Sequence, residues 1–293
     1  MKNPTDSVSC LIERFLTGND FSTHTARAFR HDLTTFVGWF EMTNKESFDI
    51  SRVTASDITG FKDHLRKVEG KAVSTVNRAV VAVRRFYAWL VDEGLMTTNP
   101  CKRVRELRRQ QLAPKGLDRA QARRLLREVE LRGDVRANAI FHVLLYTGCR
   151  VSDLVAMGLS DVQLSERTGS VVFRYGKGNK QRTVPLPLPA RKALEDYLHS
   201  RPTVDSSLVF IGERGPMTDR GIRNLCSRYG AICGFHIYPH LLRHSMAHRF
   251  LEDSGNDLVA LAQILGHESI QTTARYTQRS QDDLAALSER MGW

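Results

Sequence analysis

The chain has 293 residues, 41% of them hydrophobic, and 43 lysines and arginines against 32 acidic residues give it a net charge of +11. That is apolar material for two packed domains, and a charge balance that favours a polyanionic partner. The polar N-terminus MKNPTDSVSC and the lack of an apolar run of membrane-spanning length argue against a signal peptide and a membrane span, and lead to the expectation of a cytoplasmic protein. Five cysteines, odd in number, widely spaced and without a CxxC pair, argue against a disulfide framework or a cysteine zinc site.

Helical periodicity fills the first hundred residues. A short helix is expected around Val8 to Leu16. Ser22 opens a stronger one, in which Ala26, Phe29, Leu33, Phe36, Val37 and Phe40 recur at three- and four-residue spacing. Thr54 starts another, with Ala55, Ile58, Phe61 and Leu65 in a stripe. A fourth runs from Ser74 to Glu93, with Val76, Val80, Val83, Phe86, Tyr87 and Leu90 facing inward and Gly94 as its stop. Four helices with short connections predict an N-terminal bundle over residues 1–102. Nothing in it looks catalytic.

Asn99-Pro100 closes that unit. Residues 103–117 are charged and Gln-rich and read as a basic interdomain linker. Lys102, Arg103, Arg105, Arg108, Arg109 and Lys115 crowd this stretch, and Arg119, Arg123, Arg124 and Arg127 follow it. Such a run is usually a solvated face. Its place between two apolar-periodic regions suits phosphate contact instead.

The remainder, residues 118–293, reads as mixed. Helices are expected over 119–132, 134–147, 189–200, 219–233, 239–254, 258–265 and 269–276. Alternation through Val171, Phe173 and Tyr175, a turn at Gly176-Lys177-Gly178-Asn179, then Arg182, Val184 and Leu186 predict a hairpin. The fold class is therefore mainly α with a small β-sheet.

Six side chains carry candidate chemistry. Arg150 lies in TGCRVSDL just past Gly148, which caps the preceding helix. Lys177 sits between two glycines in GKGNKQR, with Lys180 as its rival from the same loop. His240 and Arg243 in HLLRH share one helix face, their Cβ atoms about 5–6 Å apart. His267 and Tyr276 come from LGHESIQTTARY. Taken singly, each has an ordinary reading: a surface arginine paired with Asp153, a solvated lysine, a functionless helix face, a tyrosine with its hydroxyl at the surface. His240, His244 and His248 also recur every fourth residue, which invites a metal reading. No HExxH pattern, cysteine pair or acidic ligand accompanies them, so no metal is expected. Together, two arginines, a lysine and two histidines supply what a phenol needs to attack a phosphodiester: positive charge on the non-bridging oxygens, and proton donors and acceptors close by.

These phrases, with GKGNKQRTVPL, HLLRHSMAHRFL and LGHESIQTTARYT, make the chain resemble the tyrosine recombinase (phage integrase) family, and most of all its compact Xer-like branch. The family pattern of Arg, Lys, His-x-x-Arg, His or Trp, then Tyr falls on Arg150, Lys177, His240 with Arg243, His267 and Tyr276. Cys149 stands where such sequences often carry leucine, with no evident chemical consequence. The resemblance spans nearly the whole chain. It implies an N-terminal SAM-like core-binding domain and a C-terminal α+β catalytic domain that together form a C-shaped clamp on DNA.

It further implies a site-specific recombinase that cuts and rejoins strands in pairs, through a 3′-phosphotyrosyl link and a Holliday junction held by a tetramer. Tyr276 is then the nucleophile, and Arg150 and Arg243 hold the non-bridging oxygens. His240 is the general base or a shared proton carrier, His267 donates to the phosphate, and Lys177 is the general acid for the leaving 5′-oxygen. Lys102, Arg103, Arg105, Arg108, Arg109, Lys115, Lys180 and Arg182 are the expected DNA contacts. The partner is a double-stranded DNA recombination site, with a homo-tetramer or a paralogous recombinase assembling on it, and no cofactor is implied. The role is dimer resolution of chromosomes or plasmids, or integration and excision of a mobile element. The apolar Leu284, Ala285, Leu287, Met291 and Trp293 pack on their own domain or dock on a neighbouring protomer. Relaxation of DNA in the manner of a type IB topoisomerase and a non-catalytic DNA-binding accessory role are the competing readings.

Overall fold

The computed structural model describes residues 7–108, 114–174 and 181–277 and Glu289. Two compact units divide the chain, Met1–Gln110 and Gln111–Trp293.

The first unit is helical throughout its described residues. α1 (Val8–Thr17), α2 (Thr23–Asn44), α3 (Ala55–Asp63) and α4 (Val73–Asp92) follow the expected stripes. Their starts are set by local chemistry: Ser22 accepts from the Thr25 N–H, and Thr54 with Asp57 forms a reciprocal capping box. One side of each helix feeds a common core. Phe15, Phe29, Phe36, Phe61 and Phe86 are all buried there, each stabilising the fold by about 1.5–3 kcal/mol through burial.

Part of the expected linker belongs to this unit. Val104 is buried in its core and Leu107 packs against it. Asn77, itself buried, donates to the Leu107 carbonyl at 2.9 Å and accepts from the Leu107 N–H at 2.8 Å. Arg84 donates to the Val104 carbonyl at 2.8 Å. The charged composition hides two apolar anchors, which hold residues 104–107 in place.

In the second unit, α5 (Arg119–Leu131) and α6 (Val135–Thr147) pack together, and α7 (Val151–Val155) follows directly. β1 (Val162–Leu164), β2 (Gly169–Phe173) and β3 (Arg182–Pro185) form an antiparallel sheet in that order. Val171 pairs with Val162 on one side and Val184 on the other. The expected hairpin is β2–β3; its turn, including Tyr175 and Lys177, lies outside the described residues. β1 was not expected, and neither was the two-stranded ribbon of β4 (Ile211–Gly212) and β5 (Gly215–Pro216) that follows α8 (Leu188–Ser200). α9 (Asp219–Cys233), α10 (Pro239–Asp253), α11 (Leu258–Leu265) and α12 (Ile270–Ala274) complete the unit. α6 lies against both α8 and α10, so α10 is held from behind by buried Leu242 while its other side carries the chemistry.

α12 is shorter than the periodicity predicts, and Tyr276 is not on it. The β-branched Thr272 and Thr273 weaken the helix. Tyr276 and Thr277 then donate to the carbonyls of Thr273 and Ala274, each at 3.0 Å, in tight i→i−3 turns. That tightening turns the phenol inward.

Candidate active site

α10 opens with Pro239, whose fixed φ and missing N–H suit a first helical turn. Arg243 is buried along it. One guanidinium nitrogen, Nη1, donates to the Gly148 carbonyl. The other, Nη2, donates to the Leu265 carbonyl at 3.0 Å and lies 2.9 Å from His267 Nε2. Both carbonyls sit at helix C-termini, where the backbone dipole favours a cation. Gly148 caps α6 with φ 59°, and a Cβ there would sit 2.8 Å from a Leu265 methyl. Backbone conformation and close approach both demand glycine at that position.

Arginine can only donate, so His267 Nε2 accepts and the imidazole proton lies on Nδ1. Nδ1 then donates to Thr273 Oγ1 at 2.8 Å. Burial, together with Arg243 and Arg150, takes the His267 pKa down to about 4, so the ring is neutral at physiological pH. In this arrangement neither nitrogen has a spare N–H for a phosphate. His267 orients Arg243 instead.

Arg150 opens α7, and its backbone N–H donates to Asp153 Oδ2 at 3.2 Å. Its Nη1 is buried and has no partner among the described residues. An orphaned buried donor costs about 1–3 kcal/mol, and it marks a place where an acceptor is wanted.

Arg182 is placed differently from its expected contact with DNA. Strand register pairs it with Phe173, a core residue, so its side chain turns inward. Its Nη2 donates to Asp153 Oδ2 at 2.7 Å, its Nε to the Ile264 carbonyl at 3.0 Å, and its guanidinium lies 4.7 Å from the Phe173 ring centre. The two side chains of this ion pair are only 9% and 1% exposed. Arg182 therefore bolts the β2–β3 hairpin to α7 and α11. Asp153 is no surface partner either: it is the carboxylate that anchors both Arg182 and the Arg150 backbone.

Tyr276 is 7% exposed and packs among Met246, Ala247, Leu251, Leu261 and Leu265. Burial raises its pKa, which Arg243 and Arg275 partly offset; the phenol is thus protonated at neutral pH. Its hydroxyl lies 2.9 Å from His244 Nδ1, not against His240. His248 stands perpendicular to the phenol at 5.5 Å between ring centres, with its Nε2 2.5 Å from the Pro114 carbonyl. The histidines spaced every fourth residue form no metal-binding cluster among the described residues. Two of them cradle the tyrosine. His240, one turn earlier, is exposed, and partial desolvation and Arg243 lower its pKa.

The structure thus brings Arg150, Arg243, His267 and Tyr276 together. Lys177, Lys180 and Arg109 lie outside the described residues, as does the apolar tail. Lys102, Arg103, Arg105 and Arg108 are exposed in the first unit, and Lys115 is exposed in the second. Sequence reasoning passed over His244 and Thr273, and gave Asp153 and Arg182 surface roles. Only the four-residue histidine spacing hinted at His244, and it pointed to a metal.

Charge sums to one sign here. Burial and the nearby Arg150 bring the Arg243 pKa down to about 10, still far above neutral pH, so the guanidinium keeps its charge. Three guanidinium groups, of Arg150, Arg182 and Arg243, gather here, and Asp153 is the carboxylate bonded to the first two. A site of this kind repels itself until an anion enters. The Cys149 thiol beside it is pushed up to about 12 by burial and stays protonated.

Comparison with known proteins agrees with this geometry. Residues 115–282 match the model of the phage integrase family, and residues 13–94 match the N-terminal SAM-like domain of phage integrases. Tyrosine recombinase XerC of Herpetosiphon aurantiacus is 35% identical over 92% of this chain and 88% of its own length. Tyrosine recombinase XerD of Listeria monocytogenes is 32% identical over 91% of this chain and 90% of its own. The crystal structure of XerH site-specific recombinase bound to difH substrate shares the fold, with a TM-score of 0.75 at 18% identity over 97% of this chain and 85% of that one. With its composite of helical N-terminal unit and arginine-rich, tyrosine-bearing second unit, the chain belongs to the phage integrase family, the tyrosine recombinases.

Proposed function

We propose that this chain performs site-specific recombination of double-stranded DNA, with Tyr276 as the nucleophile and Arg150 and Arg243 as the clamp on the scissile phosphate. The observation that carries this reading is the meeting of the orphaned Arg150 Nη1, the pre-set Arg243 fork and the buried phenol in one cation-rich cluster. Tyr276 Oη bonds to phosphorus as the bond to the 5′-oxygen breaks, leaving a 3′-phosphotyrosyl link that conserves bond energy for religation. The arginines strengthen their hold as charge builds on the non-bridging oxygens. Lys177 protonates the leaving 5′-oxygen, and His240, exposed beside Arg243, serves the phosphate and its protons. Arginines do here what metal ions do at other phosphoryl-transfer sites.

In this reading the first unit, with Lys102, Arg103, Arg105 and Arg108, holds the flanking duplex by phosphate contact, joined by Arg109, Lys115 and Lys180. Four copies, alone or with a paralogous recombinase, assemble on paired sites in the cytoplasm and pass through a Holliday junction. An open, mostly apolar groove of about 730 Å³ beside His248, lined by Leu117, Leu126, Leu145, Met246 and Phe250, is of a size to receive the apolar tail of a neighbouring protomer. Xer-like resolution of chromosome or plasmid dimers fits the relatives, and exchange of a mobile element uses the same chemistry.

Incubation with a nicked suicide DNA duplex in the presence of chelator tests the reading. A covalent protein–DNA adduct is expected, and Lys177→Ala should slow its formation far more than Lys180→Ala. An adduct that forms only with added metal ion, or none at all, would overturn it.

A further inference from the structure

We propose that His244 is a catalytic residue of this chain: its imidazole holds the Tyr276 hydroxyl and takes its proton as the oxygen attacks phosphorus. The proposal rests on the recombinase reading and gives the proton a specific destination.

Geometry singles out His244. Its Nδ1 is 2.9 Å from the Tyr276 oxygen, with the two rings 5.5 Å apart and tilted by 56°. It follows Arg243 directly on α10. Successive helical residues project about 100° apart, so one turn can send the guanidinium towards Gly148 and Leu265 and the imidazole towards the phenol. Arg243 also reaches the phenol and favours its ionised form. His248 abuts it edge-on, the Arg275 guanidinium lies 5.9 Å from its ring centre, and the Met246, Leu261 and Leu265 cluster encloses it. His240 is exposed one turn away, its ring centre 6.3 Å from that of His244.

The resting protonation state suits the task. Burial first, then Arg275, His240, His248 and Arg243, bring the His244 pKa to about 4, so the ring is neutral at neutral pH; in this proposal its one proton lies on Nε2, which leaves Nδ1 to accept from the phenol. A bound DNA phosphate adds negative charge beside the ring and raises that pKa towards the range useful for a base. Proton and electron accounting then closes. The Tyr276 O–P bond forms as the P–O5′ bond breaks, the hydroxyl proton moves to His244 Nδ1, and the 5′-oxygen takes its proton from Lys177.

Single-turnover adduct formation on the nicked duplex at saturating DNA tests this. His244→Ala should slow the step about 100-fold or more, as expected for a lost general base, with DNA affinity within about threefold of wild type. His244→Asn, which can accept a hydrogen bond near the Nδ1 position but cannot take a proton, should recover part of the rate and guards against a folding defect. The decisive arm replaces Tyr276 by a fluorinated tyrosine whose hydroxyl is already ionised at the assay pH. There the His244→Ala deficit should shrink to a few-fold. A deficit of undiminished size with that nucleophile, an unaltered rate in His244→Ala, or a faster one would each overturn the proposal. Absence of any adduct from the wild-type protein would instead sink the recombinase reading beneath it.

Discussion

Replacing Arg243 by lysine is expected to slow covalent adduct formation by about 10³-fold at saturating DNA. Charge is kept, but the planar fork is lost. Arg243 spends Nη1 on the Gly148 carbonyl and Nη2 on the Leu265 carbonyl and His267, and these bonds fix the guanidinium before substrate arrives. A lysine ammonium is a single point charge on a flexible stem. It cannot satisfy two helix C-termini and still face two phosphate oxygens. Loss of one preorganised donor to a developing oxyanion costs about 10²–10³ in rate, and here orientation is lost as well. Affinity should fall less than tenfold, because most binding comes from other phosphate contacts. Single-turnover kinetics with a filter-binding control measures both quantities, and a rate within tenfold of wild type would contradict the account.

Asp153→Ala should be among the most destabilising single changes in the second unit, by about 3–5 kcal/mol. The carboxylate pairs with an Arg182 side chain only 9% exposed and also accepts from the Arg150 N–H. Its removal strands a buried guanidinium and uncaps α7 together. Asp153→Asn keeps an acceptor for both groups and should cost less. Denaturant unfolding separates the two, and a loss below about 1 kcal/mol in the alanine variant would show that Arg182 finds water or another acceptor. Adduct formation should fall alongside stability, since the same carboxylate sets where Arg150 begins.

Much of this fold was legible because its signals are local. Ser22, Thr54 and Gly148 each announce a helix end through bonds made within a few residues. Phe29, Leu33, Phe36 and Phe40 show their burial through spacing alone. What escaped depends on distant partners. β1 has three residues, too few for alternation to register, and exists because Val162 meets Val171. Arg182 reads as a solvated cation until Asp153, 29 residues away, is folded against it. His244 reads as a spare histidine until Tyr276, 32 residues on, arrives. Tyr276 itself was assigned to a helix because periodicity ignores the threonines that weaken α12 and the tight turns that follow Ala274.

The candidate site shows the same division. Residue type and order pointed to Arg150, Arg243, His267 and Tyr276, and the structure gathers these. The tasks within the group did not follow from order. His267 turns out to accept from Arg243, and the phenol leans on His244 where His240 was expected. Hydrogen-bond direction decides such roles, and a linear sequence does not carry it.

The central claim is that the Tyr276 oxygen becomes bonded to phosphorus. Trapping the adduct on a nicked duplex in chelator, digesting both protein and DNA, and locating the nucleotide-bearing peptide by mass spectrometry tests this most directly. The account predicts a phosphotyrosyl linkage in the peptide holding Tyr276, and no adduct from Tyr276→Phe. A linkage at Tyr238, Tyr146 or any serine, or an adduct that survives Tyr276→Phe, would contradict it.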